Sequence, residues 1–176
     1  MEIQITQDLV QKKSITPNDA GCLQYIEDFL TQRGFINETL TFGRVKNLWS
    51  VKRNNGPLLV FLGHVDVVPT GPENEWEHDP FSGYDDGTFI NGRGTGDMKG
   101  GIACFMSALS RIDVDSLNYS VGFLITADEE GPSKDGTVKV VEELLQRNEK
   151  IDYCLIGEPS TLELSLIHIS EPTRPT

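Results

Sequence analysis

Cysteine is scarce in this sequence. Cys22, Cys104 and Cys154 are its three cysteines in 176 residues, far apart and without C-x-x-C spacing. That excludes a disulfide framework and a zinc knuckle, and it predicts three small buried apolar residues in a reducing compartment. Positive charge is scarce too: 15 Lys and Arg stand against 27 Asp and Glu, a net charge of -12. Nucleic acid and anionic membranes are therefore not expected partners, because a phosphate backbone is met by a basic face. No apolar run approaches the ~18 residues of a membrane span. The opening MEIQITQDLVQKK lacks a basic start leading into an apolar core, so no signal peptide is expected and the default location is the cytoplasm. What is present, 38% hydrophobic and 24% charged residues, describes a folded chain: one domain, or part of a larger one.

Periodicity places the elements. Residues 3–12 read as a first helix. In SITPND, Thr16 is an N-cap and Pro17 a first helical residue, opening a helix through Leu23, Ile26, Phe29 and Leu30 that stops at Gly34. Strands are expected at 36–42, 47–53 and 58–63, the last apolar on both faces as in a central parallel strand. Residues 69–87, rich in Pro, Gly, Asp and Asn, read as a long loop, followed by a weak strand at 88–91. MKGGIACFMSALSRI should be a helix with Ile102, Phe105, Met106, Leu109 and Ile112 on one face. Then YSVGFLITA, GTVKVVEELLQRN and DYCLIG form a buried strand, a helix and a short buried strand, a βαβ unit. The fold class is α/β, a mostly parallel sheet with flanking helices.

Three of the apolar strands run out into titratable residues. LLVFLG ends in His64 and Asp66, VGFLITA in Asp128-Glu129-Glu130, and YCLIG in Glu158. Ligands of open α/β sheets bind beyond the carboxyl ends of the strands. Asp97 adds a fourth point, in the Gly-rich turn GRGTGDMKGG before a helix. His64, Asp97, Glu130 and Glu158 are N and O donors of the kind zinc or cobalt accepts. Asp66, two residues on and on the same side as His64, is placed to hold the imidazole. Glu129, free beside a ligand, is the candidate general base.

Each residue also has a plainer reading. Taken alone, the Asp128-Glu129-Glu130 run reads more readily as a solvated turn than as a site, and Asp97 reads equally as an N-cap. GRGTG resembles half of a dinucleotide fingerprint but lacks G-x-G-x-x-G, which weighs against a nucleotide-binding oxidoreductase. His78 is expected at the surface. Lys99 contacts substrate or covers the helix start, and the second is favoured.

The blocks GHVDVVPTG, GRGTGDMKGG, TADEEG and GEPS together resemble the M20 metallopeptidases, a family of dizinc amidohydrolases. Their order and spacing match from the N-terminus to about residue 163. SITPNDAGC and DGTVKVVEELLQRNEKIDYCLIGEPS resemble most closely the branch that hydrolyses N-succinyl-LL-2,6-diaminopimelate in lysine and cell-wall precursor synthesis. The resemblance implies a zinc-peptidase-like catalytic domain, two Zn2+ or Co2+ per full-length subunit, a small-molecule substrate and a homodimer. It implies that His64 and Glu158 bind one metal, Glu130 the other, and Asp97 bridges. Glu129 would be the base and Asp66 the ring-orienting partner. An acetylornithine-hydrolysing member of the same family, and a non-catalytic binding domain on the same fold, are the alternatives.

The family also carries a late second histidine and a dimerisation domain after the GEPS block, and this sequence shows neither. Only His168 follows His78, at a position unsuited to that ligand. LSLIHISEPTRPT resembles the translation of a sequencing adapter. Residues 1–163 are therefore expected to be the N-terminal part of the catalytic domain, inactive alone, and 164–176 a non-native tail.

Overall fold

The computed structural model describes residues 1–159; His168 and the suspected tail lie outside them. Four helices, α1 (Glu2–Val10), α2 (Cys22–Thr31), α3 (Gly100–Leu109) and α4 (Thr137–Gln146), flank a five-stranded sheet. Its strands are β1 (Ile36–Phe42), β2 (Val45–Lys52), β3 (Leu58–His64), β6 (Ser120–Thr126) and β7 (Tyr153–Ile156), in the order β1-β2-β6-β3-β7. β4 (Tyr84–Asp85) and β5 (Ile90–Asn91) form a small separate hairpin. β6, β3 and β7 are mutually parallel, β2 is antiparallel to both β6 and β1, and so β2 alone runs against the other four. The expected mostly parallel α/β sheet is observed.

Alternation along the strands sorts the core into two layers. Leu48, Phe61, Phe123 and Ile125 face α1, α2 and α3, meeting Leu9, Ile26, Leu30, Ile102 and Met106. Trp49, Val60 and Leu124 face the other way, against Val140 and Leu144 of α4. The connection from β3 to β6 thus passes over one face and that from β6 to β7 over the other. The carboxyl end of β3 lies where the two diverge, the switch point at which such sheets form a crevice.

Several expectations need correction. α2 starts at Cys22 behind a left-handed Gly21 (φ 83°), not at Pro17. Residues 14–16 are instead drawn alongside the continuation of β3. The Ser14 Oγ donates to the Val65 carbonyl, and the Thr16 and Val67 amides donate across the gap to the Val67 and Ser14 carbonyls. Tertiary pairing has overridden a local helix-start signal. α3 ends at Leu109, leaving Ile112 exposed. β7 is exposed along its whole length because it is paired on one side only among the described residues. Of the cysteines, Cys22 is buried as expected, whereas Cys104, on the outer face of α3, and Cys154, in β7, are exposed.

Candidate metal centre

His64 is the last residue of β3 and is 1% exposed. Its ring Nδ1 lies 2.8 Å from the backbone carbonyl of Asp66, which fits it as the donor and leaves Nε2 as the outward lone pair. Around Nε2 stand Asp97 Oδ1 at 3.1 Å, Glu158 Oε1 at 3.3 Å and Glu129 Oε2 at 3.8 Å. Ligating atoms of His64, Asp97 and Glu130 all lie within 4.8 Å of one another, and so do those of His64, Glu129 and Glu158. The structure therefore brings together every candidate ligand and the candidate base. They form two overlapping groups that share the His64 imidazole.

The backbone explains this convergence. The β3 and β6 pairing continues past the strand ends, with the Val65 amide donating to the Thr126 carbonyl at 2.9 Å. That sets Asp66 level with the loop after β6. The Asp66 carboxylate, fully buried, accepts the amide of Glu129 at 3.2 Å and that of Glu130 at 3.1 Å. The Asp66 carbonyl is the nearer partner of the imidazole; its carboxylate is 3.6 Å from Nδ1 and chiefly grips the two glutamates.

Asp97 sits on the turn Thr95–Lys99, which caps nothing: no side-chain cap bond is made at the start of α3. The next residue, Met98, is fully buried and fills a socket between two glycines. A Cβ at Gly63 would stand 2.7 Å from Met98 Cε, and one at Gly157 2.6 Å from it. Since Gly63 precedes His64 and Gly157 precedes Glu158, one side chain sets the spacing of three ligand-bearing segments. Met98 Sδ also accepts the His64 amide at 3.3 Å. Lys99 points to the end of α1 and not over the start of α3. It is buried, and its Nζ donates to the carbonyls of Leu9 and Lys12 at 3.0 Å each, tying this turn to the end of α1. His78 stacks on Tyr84 at 3.8 Å, apart from the cluster.

Electrostatically the cluster is unbalanced. Among the described residues the ion pairs of Asp66, Asp97, Glu129 and Glu158 are all with His64. Burial pulls the His64 pKa down, but the Asp66 carboxylate and carbonyl, with Glu158, outweigh it and lift it to about 9. Burial raises Glu130, helped by the Asp97 charge; burial also raises Glu158, against His64 and with Asp97 and Glu129. Asp66 moves the other way: burial opposes its charge, yet His64 and the Glu129 amide keep it below the ordinary range. One imidazole nitrogen and several crowded carboxylates, with no lysine or arginine paired to them among the described residues, form a donor set that suits a divalent cation.

Asp128, first residue of the acidic run, is no part of a solvated turn: it is 3% exposed and its oxygens accept three backbone amides. The signal was available: an Asp followed by Gly, Pro, Ser and Asp is the composition of a loop folded back on a side-chain acceptor.

The family model for Peptidase family M20/M25/M40 matches residues 60–172, and the chain belongs to that family. It is 51% identical over 161 residues to the succinyl-diaminopimelate desuccinylase of Marinobacter nauticus and 53% identical over 162 residues to that of Hydrogenovibrio crunogenus. In both comparisons 90% of this chain and 43% of the relative are covered, so the chain spans less than half the length of these curated relatives. Among solved structures, human carnosine dipeptidase 1 superposes with TM-score 0.80 at 20% identity, covering 92% of this chain and 39% of that one. The M20 family metallo-carboxypeptidase Sso-CP2 of Sulfolobus solfataricus gives TM-score 0.79 at 22% identity, covering 90% and 37%. These two likenesses establish the α/β fold.

Proposed function

We propose that residues 1–163 are the N-terminal part of the catalytic domain of a metal-dependent amide hydrolase. The whole protein would convert N-succinyl-LL-2,6-diaminopimelate to succinate and LL-2,6-diaminopimelate in the cytoplasm, as a homodimer. The names of relatives more than half identical to this chain support the substrate. The observation that carries the reaction class is Glu129: a carboxylate with 51% of its side chain in solvent, 3.8 Å from the imidazole nitrogen that the candidate ligands share.

His64, Asp97, Glu130 and Glu158 would hold two Zn2+ or Co2+, with a histidine from the C-terminal portion that the relatives carry and this chain does not. The chain alone would then be inactive. When bound, the cations supply positive charge that polarises the amide carbonyl and makes water acidic. Glu129 takes a proton from the attacking water, whose oxygen adds to the succinyl carbonyl carbon. The C–N bond breaks, and Glu129 passes the same proton to the departing amine. Asp66 keeps Glu129 in reach by holding its amide, and keeps the His64 ring turned by holding Nδ1.

The test uses the chain extended through the C-terminal portion that its relatives carry. Succinyl-diaminopimelate should be cleaved far faster than acetylornithine, and Glu129→Gln should remove turnover by about a thousandfold or more while bound metal stays constant. Preference for acetylornithine would replace the substrate, and full activity of the Gln variant would remove Glu129 as the base. Metal binding without turnover of either amide would favour a binding domain.

A further inference from the structure

We propose that Asp128 is a positioning residue that sets where Glu129 and Glu130 stand; this rests on reading the His64 cluster as a metal centre. Asp128 follows β6 and is nearly fully buried, yet it makes no ion pair among the described residues. Such a carboxylate needs hydrogen-bond donors, and it draws them from the loop that carries the two glutamates. Oδ1 accepts the Ser133 amide at 3.3 Å; Oδ2 accepts those of Lys134 and Asp135, both at 3.0 Å. The chain from Glu129 to Asp135 is thereby closed into a ring around one side chain.

The rest of the loop is built to that closure. Ser133 adopts φ +53° and its Oγ donates to the Glu129 carbonyl at 2.6 Å, across the ring. A Cβ at Gly131 would lie 3.0 Å from Asp128 Oδ1, and one at Gly136 2.7 Å from the Asp128 carbonyl. The far end is fixed to the sheet, where the buried Asn47 donates to the Asp135 carbonyl at 3.0 Å. Asp66 holds the same loop at its entrance, through the Glu129 and Glu130 amides. Two buried carboxylates from adjacent strand ends thus clamp the loop at entry and exit. Asp128 belongs to neither ligand triad; it acts through the backbone of the residues that do.

The experiment is a Co2+ titration of the full chain followed by visible absorption, with amide exchange measured in parallel. Asp128→Asn keeps the bulk and one oxygen acceptor; Asp128→Ala keeps neither. Co2+ affinity should fall about tenfold in the Asn variant and toward a hundredfold in the Ala variant, the range for groups that orient metal ligands. The absorption bands should move, and exchange at Lys134 and Asp135 should quicken. Should the Ala variant not fold, the Asn variant decides alone. The proposal is overturned if a folded Asn variant binds Co2+ with unchanged affinity and spectrum. It is equally overturned if affinity falls with spectrum and exchange unchanged, since that is loss of charge and not of position. A wild-type chain that binds no Co2+ at millimolar concentration, with His64→Ala indistinguishable from it, overturns the metal-centre reading and this inference with it.

Discussion

Asp66 joins the imidazole to the glutamate loop, and replacing it measures that joint. In Asp66→Asn an amide oxygen takes the place of a carboxylate oxygen, so the Glu129 and Glu130 amides can keep an acceptor but lose its charge. A hydrogen bond to a charged acceptor contributes ~1.5–3 kcal/mol and a neutral one ~0.5–1.5, so about 1 kcal/mol is lost at each of two bonds. In Asp66→Ala both buried amides have no acceptor and each costs ~1–3 kcal/mol, with a small cavity in addition. The ladder at pH 7 is then about 2 kcal/mol for Asn and 4–5 kcal/mol for Ala, read from urea unfolding in a chelator with ΔG = mCm. With m near ~2 kcal/mol/M the midpoint falls by about 1 M and then by more than 2 M. An Ala variant costing less than 1 kcal/mol would refute the claim that the carboxylate holds the loop. An Asn variant as damaging as Ala would show that charge, not the backbone contacts, dominates.

Gly157→Ala places a methyl 2.6 Å from Met98 Cε and 2.8 Å from the Phe61 ring, where ~3.5–4.0 Å is normal. Such overpacking costs ~1–3 kcal/mol, so Tm should fall by several degrees and Co2+ affinity should weaken as Asp97 shifts; an unchanged Tm would refute the socket. The His64 pKa of about 9, against ~6.5 unfolded, makes this group stabilising below the unfolded value. In a chelator, up to ~3 kcal/mol should be present at pH 6 and lost as pH rises through 9, and His64→Ala should flatten that slope. A flat stability profile in the wild-type chain would contradict it. Since cation binding displaces that proton, Zn2+ affinity should rise about tenfold per pH unit from 7 to 9 and level off above; calorimetry in two buffers checks the proton count.

Much of the site was legible because an extended chain makes spacing into direction. His64 and Asp66 stood two apart at the end of an apolar run, and Glu158 ended another; the sheet brings those ends together. What spacing does not say is which atom does which job. Asp66 offers a carbonyl and a carboxylate, and only the register of β3 on β6 assigns the first to the ring and the second to the next strand's loop. Asp128 and Glu129 looked alike as neighbours in an acidic run, but one points into a cage of amides and the other to solvent. The start of α2 was misplaced because Ser14 and Thr16 find β3 before they find a helix. β7 and its Cys154 were expected to be buried on apolar composition, which cannot tell a central strand from one paired on a single side.

The lone reversed strand has a consequence for the order of events during folding. β1 and β2 are joined by Gly43 and Arg44 alone, so that hairpin closes a minimal loop. Every other pairing in the sheet joins residues roughly 60 to 95 apart, and loop closure of that kind is slow. The hairpin is expected to be an early event, whereas His64, Asp97, Glu130 and Glu158 meet only after β3 has found both β6 and β7. Cation binding would then report the last long-range step. In a stopped-flow refolding experiment, Co2+ absorption should lag the far-ultraviolet signal of the hairpin and helices.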